Sequence, residues 1–180
     1  MPPRNNCLPA RQLLWGLALA GYMQGAIVSA ADSVLVKSPV CERAVGTQFE
    51  LHGVVGDYLC AKYGELSREP ITITIANNRM TEARSENTEL ERDFWSYCHT
   101  DENSDRVGEF AIGTNIQLTR VIGQILQDEK IPGVHIAFGH PYAEHTGADW
   151  LSSTHIDVVG TRFDIWIDDQ KIMEDGRFLI

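Results

Sequence analysis

Apolar and polar residues alternate in several short stretches of the chain, and this pattern predicts β-strands. The clearest stretch is 71–75, Ile-Thr-Ile-Thr-Ile, where every second side chain is apolar and β-branched. Asn77 and Asn78 follow it. Asparagine tolerates the positive φ of a tight hairpin, so we predict a return strand over 79–84. Other apolar or alternating stretches predict strands at 48–55, 107–112, 134–138, 154–159, 163–167 and 171–173.

Two stretches have helical periodicity instead. A helix is predicted from the capping-box sequence at 88–91 to about residue 98, with Leu90, Phe94, Trp95 and Cys98 on one face. A second, short helix is predicted over 118–126. Strands outnumber helices and do not alternate regularly with them. The predicted fold class is therefore α+β, with a mixed or antiparallel sheet and a few short helices.

The N-terminal region has a different pattern. Arg4 and Arg11 form a positive segment before an apolar run, and Val28-Ser29-Ala30 resembles a small-residue cleavage site. We expect residues 1–30 to be a signal-like leader, which would contact a membrane only if it stayed uncleaved. Residues 31–47 have no clear periodicity and are interpreted as a linker or unrelated segment. Residues 48–180 are then the functional domain.

Composition and charge narrow the function. With 180 residues and 43% hydrophobic side chains, the chain can bury a core as one domain. The formal net charge of −10 argues against a nucleic-acid partner, since phosphates are bound by Lys and Arg. It leaves a divalent metal or a cationic partner open. The four cysteines have no CxxC spacing and indicate neither a zinc finger nor a disulfide framework.

Histidines and carboxylates within the predicted strands are the candidate chemistry. His155 and Asp157 are two residues apart and would share one face of a strand. His135 shares its face with the small residues Ala137 and Gly139, which leaves room for a ligand. Each histidine also has an ordinary structural explanation, as a hydrogen-bonded His–Asp pair or a satisfied core residue.

Two glutamates extend this set. Glu109 lies in an otherwise apolar strand, where a carboxylate must be solvated, paired or metal-bound. Glu129 lies in a polar turn, where its local sequence favours a solvated surface acid. Together with His135 and His155, these carboxylates suit a pair of Zn, Co, Mn or Mg ions better than a thiolate site would. His99, His140 and His145 are predicted in loops, without a chemical role.

Several short segments that follow one another in order carry a resemblance to a known family. They are Val54-Val55-Gly56-Asp57, the run 101–109 (DENSDRVGE), Gly113-Thr114-Asn115, Ile125 to Lys130, His135 to Gly139, Ser153 to Asp157 and Ile172 to Phe178. The series resembles the C-terminal half of the M29 metallopeptidases, the thermophilic aminopeptidases also called leucyl aminopeptidase or aminopeptidase II. It covers about residues 48–180.

The resemblance implies a metalloaminopeptidase that removes N-terminal residues from peptide substrates with two divalent metal ions. By position, Glu109 is expected to bridge the metals. Glu129, His135, His155 and Asp157 are expected to be further ligands, and Tyr142 is expected to be the active-site tyrosine. The resemblance also implies a cytoplasmic protein, whereas the leader-like segment favours export. A homodimer is a further expectation.

Residues 1–47 do not resemble the family's upstream half, which supplies one more ligand glutamate. We therefore expect a truncated form of the enzyme with low activity. The alternatives are a non-catalytic remnant that still binds metal and a small exported binding domain whose histidines are structural. Loss of metal binding in a His155→Ala variant would separate the remnant from the structural alternative.

Overall fold

The part of the chain that can be described covers most of the predicted functional domain. A computed structural model describes residues 33–35, 47–167 and 170–179. The predicted leader, most of the linker and residues 168–169 lie outside the described residues.

Eleven strands and four short helices make up the described chain. The strands are β1 Ser33–Leu35, β2 Thr47–Leu51, β3 Val54–Val55, β4 Ile71–Ala76, β5 Arg79–Arg84, β6 Val107–Gly113, β7 Gly133–Gly139, β8 His155–Val159, β9 Ile165–Ile167, β10 Gln170–Glu174 and β11 Arg177–Phe178. The helices are α1 Asp57–Tyr63, α2 Thr88–Tyr97, α3 Ile125–Asp128 and α4 Ala143–Thr146.

The strands form three antiparallel sheets. The largest has the order β1-β6-β7-β8-β3, and its centre is a meander in which β6, β7 and β8 follow one another along the chain. The second sheet has the order β2-β4-β5 and the third the order β11-β10-β9. The predicted α+β class with an antiparallel sheet and few short helices is confirmed.

The main core lies between the five-stranded sheet, the β2-β4-β5 sheet and α2. Ile136, Phe138, Ile156 and Val158 face it from β7 and β8, and the alternate isoleucines of β4 face it from the second sheet. The Phe94 ring of α2 meets the Phe138 ring edge-on, with 6.5 Å between centroids. Because side chains alternate along a strand, the other face of β7 and β8 is free to carry the polar residues.

The hairpin predicted around residues 77–78 is confirmed. Asn77 and Asn78 both have positive φ, at 52° and 60°, and join β4 to β5. The region predicted as one strand over 48–55 is instead two strands, β2 and β3, which pair in different sheets.

Two helix predictions need correction. The helix predicted over 118–126 is wrong: the segment is irregular up to Gly123, whose φ is 78°, and α3 begins only at Ile125. In α2, Leu90, Phe94 and Cys98 are buried, but Trp95 is 37% exposed and lies off the buried face. The N-cap of α2 is Asn87, whose side chain accepts a hydrogen bond from the Leu90 N–H.

Within the described residues, no helix is long and apolar enough to cross a membrane.

Candidate metal centre

A β-bulge in β6 directs Glu109 onto the polar face of the large sheet. Val107 pairs with Phe138 and Glu109 with Ala137, so two positions of β6 oppose one of β7 at Gly108. Ala137 pairs in turn with Asp157 on β8. Directly paired residues share a face, so Glu109, Ala137 and Asp157 form one row across three strands. The small Ala137 leaves the space between the two carboxylates unfilled.

The two predicted strand histidines flank this row on the same face. His135 precedes Ala137 by two residues on β7, and His155 precedes Asp157 by two on β8. Because the strands are antiparallel, the histidines approach the row from opposite ends: His135 pairs with Val159 and His155 with Gly139. The arrangement puts one imidazole on each side of a pair of carboxylates.

The candidate ligand atoms are close enough to one another to bind the same metal ion. His135 Nε2 is 3.2 Å from Glu109 Oε1 and 3.3 Å from Asp157 Oδ1. His155 Nε2 is 3.6 Å from Glu109 Oε2 and 3.4 Å from Asp157 Oδ1. Bonds of about 2.0–2.2 Å to one ion separate neighbouring ligand atoms by about 3–3.5 Å. These distances fit donors that share divalent ions.

His135 supplies the test of whether a metal fits. Its side chain is 3% exposed, and neither Nδ1 nor Nε2 makes a hydrogen bond with acceptable geometry. The Glu109 and Asp157 oxygens are close to Nε2 but not aligned with a ring N–H. A buried polar atom without a partner is costly unless something else satisfies it. A metal ion bound between His135 Nε2 and these carboxylates would satisfy that nitrogen.

His155 is held in the orientation that a metal ligand needs. Its Nδ1–H donates to the His140 carbonyl oxygen over 2.8 Å, which leaves Nε2 as the nitrogen that faces the carboxylates. Histidine ligands commonly donate their second N–H in this way. His140, predicted to be an uninvolved loop residue, therefore contributes through its backbone, which side-chain patterns do not reveal.

Charges and burial shift the titration of this cluster. Burial raises the pKa of Glu109, against the opposing effect of the two histidines. Burial tends to lower the pKa of His135 and of His155, but the nearby carboxylates outweigh it and raise both. Burial tends to raise the pKa of Asp157, and the two histidines beside it outweigh that effect and lower the pKa. The set is thus a coupled group of two imidazoles and several carboxylates.

Glu129 joins the site from outside the sheet. It is the C-cap of α3, and its side chain is 20% exposed. Together with His135 and Asp157 it forms a group able to hold a metal ion, with one ligand atom of each residue within 4.8 Å of the others. Lys130 Nζ lies 3.4 Å from Glu129 Oε1. Glu129 is therefore close to the cluster and is not the fully solvated turn acid that its local sequence allowed.

Tyr142 lies at the His155 end of the site. Its ring is 4.8 Å from the His155 ring and 5.0 Å from the His140 ring, measured between centroids. Its backbone is left-handed, with a φ of 46°, and its N–H donates to His140 Nδ1. The side chain is 42% exposed, and burial of part of the ring raises its pKa, so the phenol stays a proton donor.

The structure brings all six predicted site residues into one neighbourhood, and their roles as ligands or catalytic groups stay predictions. His99 lies elsewhere: its ring stacks on Trp95 and its Nδ1 meets the Trp95 carbonyl. His145 lies on α4, not in the loop that was predicted.

The chain is similar to two solved structures, whereas no family profile and no curated protein matches its sequence. One is wild-type AmpT from Thermus thermophilus, an M29 aminopeptidase, at 21% identity and a TM-score of 0.49, covering 73% of this chain and 36% of that chain. The other is 2,5-dihydroxypyridine dioxygenase from Pseudomonas putida KT2440, at 18% identity and a TM-score of 0.54, covering 74% of this chain and 40% of that chain. The chain spans no more than two-fifths of either structure. The likeness to the dioxygenase, at this identity, is one of fold.

Proposed function

We propose that this chain is a metal-dependent aminopeptidase domain, which hydrolyses the N-terminal residue from peptides at a site for two divalent ions. The observation that carries the proposal is the position of Glu109. One of its oxygens faces His135 at 3.2 Å and the other faces His155 at 3.6 Å. A carboxylate that presents a different oxygen to each of two imidazoles suits a bridge between two ions.

The remaining donors divide between the two sides. Glu129 and His135 would hold one ion and His155 the other, with Glu109 and Asp157 between them. Such ions, when bound, supply Lewis acidity and a water that ionises near neutral pH. The part of this chain is to hold the His135 and His155 rings in fixed positions. The sheet pairing and the His155 contact with the His140 carbonyl support that role.

Tyr142 is the proposed proton donor to the substrate. The residue is partly exposed, and its hydroxyl would hydrogen-bond the oxyanion that forms on the peptide carbonyl. The packing of its ring on His155 fixes it beside the candidate ligands. Its raised pKa keeps the proton available near neutral pH.

The test is hydrolysis of leucyl-p-nitroanilide with added Co²⁺, Zn²⁺ or Mn²⁺, alongside metal binding by calorimetry. We expect metal-dependent turnover, and we expect His155→Ala to lower metal affinity and turnover by at least ~10–100-fold. His99→Ala is the matched control, because that histidine stacks on Trp95 away from the cluster. Metal binding without turnover would reject the peptidase and favour the non-catalytic remnant. Absence of metal binding would leave only a structural role.

A second candidate, an iron-dependent dioxygenase, is favoured by one observation. His135 and His155 both face Asp157 Oδ1, at 3.3 and 3.4 Å, and two histidines with one carboxylate are the ligands of many non-haem Fe(II) oxygenases. The fold shared with the dioxygenase is compatible with this chemistry. In that case one Fe(II) would bind, and Glu129 would be dispensable.

Oxygen uptake separates the two candidates. The protein loaded with Fe(II) under nitrogen is mixed with aerated 2,5-dihydroxypyridine, and oxygen consumption is followed in the wild type and in Glu129→Gln. Rapid uptake that survives Glu129→Gln would favour the dioxygenase. No uptake, together with peptide hydrolysis that Glu129→Gln abolishes, would favour the aminopeptidase.

A further inference from the structure

Glu129 is the one proposed ligand that the large sheet does not position. Glu109, His135, His155 and Asp157 lie on β6, β7 and β8, whose pairing fixes them. Glu129 follows α3, a helix of four residues. A single helical turn has little stability of its own, so something else must hold Glu129 in place.

The neighbouring residue Asp128 has the contacts for this task. Its side chain is 2% exposed and accepts three backbone hydrogen bonds. Asp128 Oδ1 accepts from the Ile122 N–H at 2.9 Å. Asp128 Oδ2 accepts from the Gly123 and Gln124 N–H groups at 2.8 and 2.9 Å. Gln124 is the N-cap of α3, and its side chain makes no capping hydrogen bond. The carboxylate of Asp128, the last residue of α3, binds the N–H groups at the start of the helix instead.

Apolar side chains of this turn, residues 122–131, pack against the end of β8. Ile125 and Ile131, on either side of Asp128, are 4% and 6% exposed and pack with Val159, the residue that pairs with His135. Two backbone hydrogen bonds continue the turn through Glu129. The Glu129 N–H donates to the Ile125 carbonyl, and the Ile131 N–H donates to the Asp128 carbonyl. Fixing the 122–124 backbone therefore fixes the direction of the Glu129 side chain relative to His135.

We propose that Asp128 is a positioning residue for Glu129 and so for one of the two ions. The inference rests on the proposed metal site. A carboxylate suits the role better than an amide, because it offers two acceptor oxygens and no donor to three N–H groups. Asp128→Asn keeps the shape of the side chain but turns an NH₂ group toward at least one of those donors.

The experiment titrates Co²⁺ into the wild type, Asp128→Asn, Glu129→Gln and Asp105→Asn. It follows the number of bound ions by native mass spectrometry and the Co²⁺ absorption spectrum. We expect Asp128→Asn to behave like Glu129→Gln: one ion is retained and the affinity for the other falls ~10–100-fold. Asp105→Asn is the control. Asp105 is also buried, but its carboxylate pairs with Arg79 and not with the turn, so both ions should remain.

The outcomes are distinct. Two ions bound by Asp128→Asn with unchanged affinity and spectrum would overturn the positioning role while leaving the metal site intact. No ion bound by the wild type would reject the proposed function, and the inference with it. If Asp128→Asn does not fold, hydrogen exchange in the wild type decides. Metal should slow exchange of the 122–124 amides, and exchange that is the same with and without bound metal would reject the inference.

Discussion

Asp101 ties the segment before β8 to the loop before β6. Its Oδ2 accepts hydrogen bonds from the Ser153 N–H, the Ser153 hydroxyl and the Ser152 hydroxyl, and its Oδ1 accepts from the Asn103 N–H. These bonds, led by the Ser153 hydroxyl, lower the pKa of Asp101. The contact holds the chain two residues before His155, so it supports the site from a distance.

The lowered pKa makes a prediction about stability and pH. A carboxyl with a lower pKa in the folded state stabilises the fold above its unfolded pKa of about 3.9, and this contribution is lost as pH falls toward the folded value. We expect Asp101→Asn to lower the free energy of unfolding by about 1–2 kcal/mol at pH 7, allowing for partial solvent screening. The difference from wild type should shrink below about pH 4.

Urea unfolding at pH 7 and pH 3 measures this difference. Asp149→Asn, at an exposed aspartate in the same region, is the control and should change little at either pH. An Asp101→Asn penalty that is equal at both pH values would contradict the charged hydrogen bonds as its cause.

The elements of the site depend on the β6 bulge. An added Cβ at Gly108 would lie 2.7 Å from the Gly139 carbonyl oxygen and 2.9 Å from that of His140, which accepts the His155 Nδ1–H. Gly108→Ala should therefore push the strands apart at the site. We expect a loss of about 1–3 kcal/mol in stability, as for other overpacking changes, together with weaker metal binding.

Gly147→Ala provides the comparison. Its φ of 75° makes alanine strained there, but no atom lies within 4 Å of the added Cβ. Thermal unfolding and Co²⁺ titration of both variants separate the effects. Both should lose stability, and only Gly108→Ala should lose metal affinity; equal metal affinities would show that the bulge does not shape the site.

At this scale the sequence predicted local elements better than their register. Alternation over 71–75 and the two asparagines were sufficient for the β4–β5 hairpin, because the turn chemistry is local. The bulge at Gly108 depends on pairing with β7, far along the chain, and no local pattern indicates it. The helix predicted over 118–126 was wrong because Leu118 and Val121 pack on an apolar cluster from an irregular segment, which mimics helical periodicity. The family resemblance alone favoured Glu129 as a ligand, since its local sequence is that of an ordinary turn acid and a helix C-cap has no hydrophobic pattern.

For the whole molecule, metal binding and folding should be coupled. The chain has a net charge of −10, and the candidate site gathers three carboxylates and two imidazoles in a largely buried region. Ions that bind the folded state alone stabilise it by about 2.7 kcal/mol at 100 times their Kd. For a chain of this size that is a rise in Tm of about 5–10 °C.

Thermal unfolding with added Zn²⁺ or Mn²⁺, and again after EDTA, checks this coupling. The rise should reverse with EDTA and should be small in His155→Ala. A Tm that does not respond to metal in the wild type would argue that the histidines and carboxylates are structural.

The β6-β7-β8 meander also bears on how such a domain is inherited. Every proposed ligand and the proposed tyrosine lie on one uninterrupted stretch between Val107 and Val159, and the three strands pair in chain order. A single recombination event that moved this stretch would therefore transfer all six side chains together. The strand pairing that brings them close would be transferred with them. Changes in the surrounding sequence would then alter substrate specificity without changing the candidate metal ligands.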